Sequence, residues 1–301
     1  MDLSADTSTY QLSQVENLTI FSLIEKELLL SKNLKSQTNP LLTIIGGQPG
    51  CGKSTRSANI RDSLTLDSKA LFIDLDELRK FHPEYKSINK KNDKLAALYT
   101  GPDAGKWSEL LLHSAVRKKY NIVYESSLRN TEYLCSMIHS LSKKEGYDIS
   151  LQVIITKPEI SQVSTYLRYE LIKERFGYGR YIVPDYHDDS VTNMSKALQA
   201  IKEQGLVSKM ELYTRDKPLF QEDYKKNDIV AIANTEYNRP LTPEERKYIR
   251  ESWDDVRRLM LKRNCQVDEL REIDKLREPY QETKKVTAEI TVNRAKNNLK
   301  I

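Results

Sequence analysis

Cysteine is scarce in this chain: Cys51, Cys135 and Cys265 are the only three in 301 residues, and none has paired spacing. A disulfide scaffold is therefore excluded and a reducing compartment expected. Glycine and proline number ten each, too few for collagen-like or low-complexity sequence. No apolar run approaches the ~18 residues of a membrane helix. Asp2, Asp6 and Glu16 precede any apolar stretch, where a secretory signal needs a basic start, so the cytoplasm is the expected location. Neither charge sign dominates: 48 Lys and Arg stand against 43 Asp and Glu, leaving +5. That mild excess suits phosphorylated small molecules as well as nucleic acid and decides nothing alone. The four histidines, His82, His113, His139 and His187, have no metal spacing with a cysteine or carboxylate, so no zinc site is expected.

What remains is a globular composition, 39% hydrophobic and 30% charged. A chain of this length hides about three quarters of its unfolded surface on folding. Residues 1–40 hold one amphipathic helix candidate, with Leu18, Phe21, Ile24, Leu28 and Leu29 at helical spacing, then a polar linker ending in Asn39-Pro40. From residue 41 to about 240 strand and helix patterns alternate. Strands are predicted at 41–45, 70–73, 121–124 and 149–155, with weaker ones at 209–214 and 228–232. Helices are predicted at 53–63, 104–119, 131–144, 159–175 and 188–204. The alternation predicts an α/β fold, a central mostly parallel sheet with helices on both faces. Residues 241–301 read as a helical, charge-rich extension opened by the cap Thr242-Pro243-Glu244-Glu245. Its last twenty residues read as a basic tail.

The strongest motif is Gly47-Gln48-Pro49-Gly50-Cys51-Gly52-Lys53-Ser54. It matches G-x-x-x-x-G-K-[ST] between a strand and a helix, the setting of a P-loop. Glycines let backbone N–H groups converge on phosphate oxygens. Lys53 brings a compact charge to the outer phosphates, Ser54 offers a hydroxyl to magnesium, and the helix N-terminus adds its partial charge. Gly47, Gln48, Pro49, Gly50, Cys51, Gly52, Lys53, Ser54 and Thr55 are thus the expected nucleotide-binding set, with ATP and Mg2+ as cofactors. The N-K-x-D base-reading motif of a GTPase is missing. Asp76-Glu77 imitates a motor ATPase, but Asp74 does not belong to that pattern.

Asp74 and Asp76 share one face at the carboxyl end of the second strand, the ligand edge of such sheets. Phosphoryl transfer to a hydroxyl needs a carboxylate to take the proton, and either suits. The competing role is a helix cap. Glu125 closes the third strand, with Ser127 and Arg129 in the next loop. Glu109, on the preceding helix, either faces the same cleft or is simply solvated. Arg168, Arg175 and Arg180 are candidates to spread charge over the moving phosphoryl group. Gly177-Tyr178-Gly179 before Arg180 reads as a mobile lid.

Together these residues resemble the zeta toxins, the kinase components of epsilon/zeta-type toxin–antitoxin systems. The resemblance spans about residues 41–216. It rests on the glycine-rich loop, Ile73-Asp74-Leu75-Asp76 followed by His82-Pro83, Tyr120-Asn121-Ile122-Val123-Tyr124-Glu125, Thr156-Lys157-Pro158-Glu159 and Leu167-Arg168-Tyr169-Glu170. It implies a UDP-N-acetylglucosamine kinase that phosphorylates the sugar 3-hydroxyl and so blocks cell-wall precursor use. It also implies Asp76 as the base, and Lys53, Arg168 and Arg180 as the residues that steady the phosphates. Ser54 follows as the magnesium ligand, and Asp76, Glu109, Glu125, Ser127 and Arg129 as the sugar-nucleotide set. Cys51 stands where Ser or Ala is usual, and Ser126-Ser127 replaces Gly-Thr. The interval from Arg168 to Arg180 is one residue short, which leaves Arg175 as the fallback.

A small helical antitoxin covering the nucleotide site is the implied partner, and the helix at 18–29 is expected to be part of its docking surface. No membrane or nucleic acid partner is expected. The competing class is a nucleic-acid-directed P-loop kinase or RNA-binding regulator. It would want a contiguous basic groove, whereas carboxylates crowd the proposed acceptor cleft and would repel a polyanion.

Overall fold

The computed structural model describes residues 7–65 and 69–281, and the chain divides into two compact units, Met1–Leu241 and Thr242–Ile301. The basic tail expected at the C-terminus lies outside the described residues.

The first unit is built on six strands: β1 (Leu41–Gly46), β2 (Ala70–Ile73), β3 (Asn121–Ser126), β4 (Asp148–Ile154), β5 (Lys209–Tyr213) and β6 (Pro218–Phe220). They lie in the order β2-β3-β1-β4-β5-β6. The first five are parallel and β6 returns antiparallel. β1 is central, with Ile44 opposite Tyr124 on one side and Leu151 on the other. Successive strand residues point to opposite faces. Ile44, Ile122, Val153 and Leu212 join the main core, while their neighbours Ile45, Val123, Ile154 and Tyr213 form a second cluster. Helical side chains therefore cover both faces, as near-continuous apolar strands require.

The main face takes residues from α1 (Gln14–Ile24), α4 (Tyr85–Arg117), α5 (Thr131–Lys143), α7 (Pro184–Gln204) and α8 (Ile229–Asn238). Ile60 of α2 (Lys53–Ser63) packs on the smaller cluster. A one-turn α3 (Leu75–Leu78) follows β2, and α6 (Pro158–Phe176) follows β4. The chain leaves β1 toward β2 and leaves β4 toward β5. Connections part between these neighbours, and such a switch point opens a ligand crevice at the carboxyl ends of the strands.

Four segments differ from expectation. Residues 228–232 are not a strand but the start of α8, because Asp228 Oδ1 accepts the Ala231 N–H at 3.1 Å and caps a helix. A short apolar run is ambiguous between the two periodicities. α4 begins at Tyr85 rather than near 104 and continues past Pro102, with one break at Asn92 (φ −157°, ψ 91°). The strand β6 had no visible signal. The helix expected at 18–29 becomes α1 followed by a π-helical turn, Glu25–Leu29. Its apolar set splits: Ile24 and Leu29 are buried, Phe21 and Leu28 half-buried, and Leu18 exposed.

The second unit contains α9 (Pro243–Lys262) and α10 (Val267–Arg277). Thr242 and Glu245 form the expected reciprocal cap. Asn264, at φ +52°, lies in the turn that separates the two helices. Ion pairs Arg257–Asp274 (2.8 Å) and Arg263–Glu269 (2.6 Å) hold the two helices together.

One buried carboxylate ties the N-terminal segment to α4. Asp103, fully buried, accepts the Leu12 N–H at 3.2 Å and the Asn17 amide at 2.9 Å. Trp107, one turn on, donates to the Asn17 carbonyl at 3.1 Å. His82 accepts the Glu84 N–H on Nδ1, so Nε2 carries its proton and donates to the Tyr10 carbonyl at 3.1 Å. The N-terminal segment thereby braces the turn that follows β2. Asp103→Ala strips the acceptor from buried donors without overpacking the site. Each such loss costs ~1–3 kcal/mol, so urea unfolding should show a stability loss of about 2–3 kcal/mol. An unchanged midpoint would mean that the segment is held by apolar packing alone.

Candidate active site

The glycine-rich loop leaves β1 and enters α2 at Lys53. Gly50 has φ +79°, and a Cβ there would strike the Ser161 carbonyl oxygen; only glycine fits. Lys53 Nζ donates to Gly47 O at 2.6 Å and Gln48 O at 3.2 Å, which holds the ammonium over the loop. Ser54 and Thr55 are exposed in the first turn of α2, where the free N–H groups of a helix make an anion site.

Two members of the expected nucleotide set do something else with their side chains. Gln48 is fully buried. It donates to Thr156 O at 2.6 Å and Ser161 Oγ at 3.3 Å, and accepts the Tyr237 hydroxyl at 2.9 Å. Cys51 is buried in the second cluster, where burial pushes its thiol pKa up. Both leave only backbone to a ligand and instead fix the shape of the loop. Lys157 of Thr156-Lys157-Pro158 is also structural: its ammonium caps the end of α8 through the carbonyls of Tyr237 and Arg239.

At the end of β2, Asp74 does act as a cap, with Oδ1 accepting the Asp76 N–H at 2.9 Å. Asp76 is clasped instead: Arg79 pairs with Oδ1 and Arg180 with Oδ2. Glu125, at the end of β3, accepts a hydrogen bond from Ser57. Burial lifts its carboxyl above the ordinary value and Asp74 adds to the effect, while Ser57, Lys53 and Arg61 oppose it. Asp74, Lys53 and Glu125 therefore share one electrostatic neighbourhood at the carboxyl edge.

Arg168, on α6, faces the same place. Burial lowers its pKa from the guanidinium norm against the pull of Asp74, Cys51 and Glu125. Its Nε and Nη2 are buried with no hydrogen-bond partner among the described residues. Arg180 is depressed by burial too, with Asp74 and Tyr186 opposing. Arg175, the fallback, lies exposed at the end of α6 with its guanidinium 5.0 Å from the Phe176 ring. The arm carrying Arg180 is not the loose segment that its glycines suggest: Gly179 N donates to the buried carboxylate of Asp93 at 2.7 Å.

Ser127 and Arg129 meet α7 across the loop after β3. Tyr186 donates its hydroxyl to Ser127 Oγ at 3.1 Å. The Arg129 guanidinium lies 4.4 Å from the Tyr186 ring centroid and 3.6 Å from Asp189. Glu109 is exposed, and its charge reaches Tyr133, whose hydroxyl is pushed up by burial and then by Tyr124. A crevice beside the first turn of α2 is lined by Gly52, Thr55, Arg56, Asn59, Tyr213 and Arg215. There Arg56 stacks 3.8 Å from the Tyr213 ring centroid, held by Gln152 Oε1 at 2.8 Å.

Sequence reasoning missed Arg79, Asp93, Tyr186 and Ser57. Arg79 stands three residues from Asp76, a helical pairing distance that could have revealed it. The others come from distant elements. No group of three or more His, Cys, Asp or Glu able to hold a metal occurs among the described residues. A magnesium ion carried by phosphates needs no such cage, and the exposed Ser54 hydroxyl in the first turn of α2 fits it. No described helix is long and apolar enough to cross a membrane.

Comparison with known proteins identifies the family. The zeta toxin family model matches residues 25–229. Toxin PezT of Streptococcus pneumoniae serotype 4 is 30% identical over 189 residues, 62% of this chain and 74% of its own length. Toxin zeta of Streptococcus agalactiae is 27% identical over 188 residues, 62% of this chain and 64% of its own. A solved structure from the PezAT chromosomal toxin–antitoxin system of Streptococcus pneumoniae superposes with a TM-score of 0.70 at 24% identity, covering 83% of this chain and 99% of that one. With the family model spanning more than half of its length, this chain belongs to the zeta toxin family.

Proposed function

We propose that this protein is an ATP- and magnesium-dependent kinase toxin that phosphorylates the 3-hydroxyl of UDP-N-acetylglucosamine or a related UDP-amino sugar. The observation that carries the reading is the Arg168 guanidinium, whose buried Nε and Nη2 have no hydrogen-bond acceptor among the described residues, within the electrostatic reach of Asp74 and Glu125. Buried unsatisfied donors are costly and suit a ligand rich in oxygen acceptors, such as a triphosphate.

In this reading the triphosphate lies on the loop backbone and the α2 N-terminus, with its nucleoside along the crevice between Arg56 and Arg215. Lys53, Arg168 and Arg180 spread positive charge over the transferred group. Ser54 would hold a magnesium ion brought with the phosphates, and such an ion would supply further charge neutralisation. The acceptor lies over Glu125, Ser127 and Arg129, with Glu109 at its margin. Asp76 takes the hydroxyl proton as the new oxygen–phosphorus bond forms and the β–γ bridge breaks, releasing ADP. Such an enzyme harms its own cell, and a small helical antitoxin is the partner that goes with it. Its docking surface, in the same proposal, includes the first helix and the turns after it, where Val15, Leu18, Leu23 and Leu30 are exposed.

The direct test is incubation with ATP, magnesium and a panel of UDP-sugars, followed by weighing the products. Mass gain of one phosphate on a UDP-amino sugar is expected; no gain on any of them overturns the reading. Lys53→Ala should abolish transfer with little loss of stability, since it removes only loop-bound hydrogen bonds. Asp76→Asn should bind ATP nearly as wild type and transfer about 10²–10⁴-fold more slowly, the range of general-base catalysis.

Glu125→Gln separates function from stability. The folded-state pKa of Glu125 is raised, so its ionised form costs stability at neutral pH, and the cost disappears below the unfolded value. The variant should melt higher than wild type near pH 8 and equal to it near pH 4, while losing affinity for the sugar nucleotide. A variant that melts lower near pH 8 would overturn this account of Glu125.

A further inference from the structure

We propose that Asp93 is the positioning residue that seats Arg180 in the site, an inference that rests on the phosphotransferase reading above. Asp93 touches none of the reacting groups. It sits at the break in α4, directly after the non-helical Asn92, and is buried. Its Oδ1 accepts the Tyr169 hydroxyl at 3.0 Å. Its Oδ2 accepts Lys173 Nζ at 2.6 Å and the Gly179 N–H at 2.7 Å. One carboxylate thus joins α4, α6 and the backbone amide immediately before Arg180.

The break in α4 has a purpose in this arrangement. A continuous helix would commit the peptide at residue 92 to the helical ladder. The extended backbone of Asn92 instead starts a second helical run with Asp93 at its head, turned toward the arm.

The arm is fitted as well as tethered. A Cβ on Gly179 would lie 2.6 Å from both Tyr169 Cε2 and the Tyr169 carbonyl oxygen, so this residue must be glycine for the backbone to lie against α6. Tyr181 packs edge-on against Tyr169 at 5.4 Å and Tyr166 at 6.4 Å. Tyr178 packs edge-on against Tyr85 at 6.5 Å. Side chains on both sides of Arg180 are therefore anchored. The guanidinium itself pairs with Asp76.

The placement matters because a guanidinium stabilises a phosphoryl transition state only from the right position. A misplacement of about 1 Å can cost 10²-fold in rate. Lys173 makes the buried charge of Asp93 tolerable, since an unpaired carboxylate there would be expensive. Asn in place of Asp keeps the shape but presents an N–H₂ to donors on one side and discards the charge that Lys173 needs.

Two independent readouts test the proposal on the full-length protein. The first needs no substrate: hydrogen exchange of the peptide covering residues 177–181 in wild type and Asp93→Asn. The Gly179 amide is expected to exchange at least about tenfold faster in the variant, as for a hydrogen bond opened locally. Equal exchange overturns the clamp. The second is phosphoryl transfer, measured for Asp93→Asn, Arg180→Ala and the double variant.

Asp93→Asn should lower kcat by about 10²-fold with little change in the KM for ATP. It should add almost nothing once Arg180 is already Ala, the non-additivity of residues that act through one another. Full additivity, or a loss confined to KM, overturns the positioning role. Gly179→Ala displaces the same arm with Asp93 intact and should reproduce the kcat loss and the non-additivity, so that a folding defect of Asp93→Asn cannot decide the matter. Wild type inactive on every UDP-sugar would sink the phosphotransferase reading, while the exchange result would still decide the clamp.

Discussion

Asp76 is gripped by guanidinium groups on both of its carboxylate oxygens, by Arg79 from its own helical turn and by Arg180 from the arm after α6. Much of the site follows from this clasp. Arg79, Arg168 and Arg180 are pulled below the guanidinium norm by burial, and Asp74 acts against that loss on all three. Without the acids at the strand ends, so many cations could not be kept together away from water. With them, the cations are already gathered where a triphosphate would lie, and they can exchange a carboxylate for phosphate oxygens. In the proposed reaction the same acids would face the acceptor. The arrangement therefore suits a reaction in which negative charge arrives on one side and a proton leaves on the other.

Delivering these groups to one edge is the work of the scaffold. Parallel strands end their carboxyl termini on one side, so β1 contributes the loop, β2 the aspartates and β3 Glu125. The central position of β1, with its connections parting from those of β4, leaves room there. Loop shape is then fixed from beneath by Gln48, which ties it to the end of β4, to α6 and to α8. The turn bearing Asp76 is braced from behind by His82 and the N-terminal segment. Side chains that would meet ligand are thus few, and many polar neighbours serve to hold them.

The parts legible in sequence were those with a local signal. Alternating apolar strands and helices gave the α/β class, and the loop of residues 47–54 stood out because its glycines and Lys53 must be contiguous to work. Asp74 and Glu125 were legible as strand-end carboxylates, whereas Asp76, expected beside Asp74 on the extended face of β2, lies in the one-turn α3 because Asp74 caps a helix there. The role of Gln48 was not, because a polar residue beside glycines reads as ligand-facing, and only tertiary contact shows it buried. Gly177-Tyr178-Gly179 read as mobile for a similar reason: the glycines signal freedom, yet Gly179 is there to let the arm lie against Tyr169. Asp93 had no local signal at all, since its three partners come from residues 76 to 86 positions away. Residues 228–232 failed for the opposite reason, a local pattern too short to fix its own period.

A fastened arm changes how the rate enhancement would be supplied. A lid that closes on substrate orders itself at the moment of binding and draws on binding energy to do so. Here the arm is ordered through Asp93 and its flanking tyrosines by folding itself, and only the guanidinium of Arg180 has to move. Preorganised charge of this kind needs little reorganisation during the reaction, which is what makes it effective. The cost falls on the native state instead, in the Glu125 carboxyl raised by burial and in buried Arg168 and Arg180 nitrogens with no hydrogen-bond partner among the described residues. Stability lost at the site must be offset elsewhere, and the apolar core on the main face of the sheet is the part of the molecule large enough to do so.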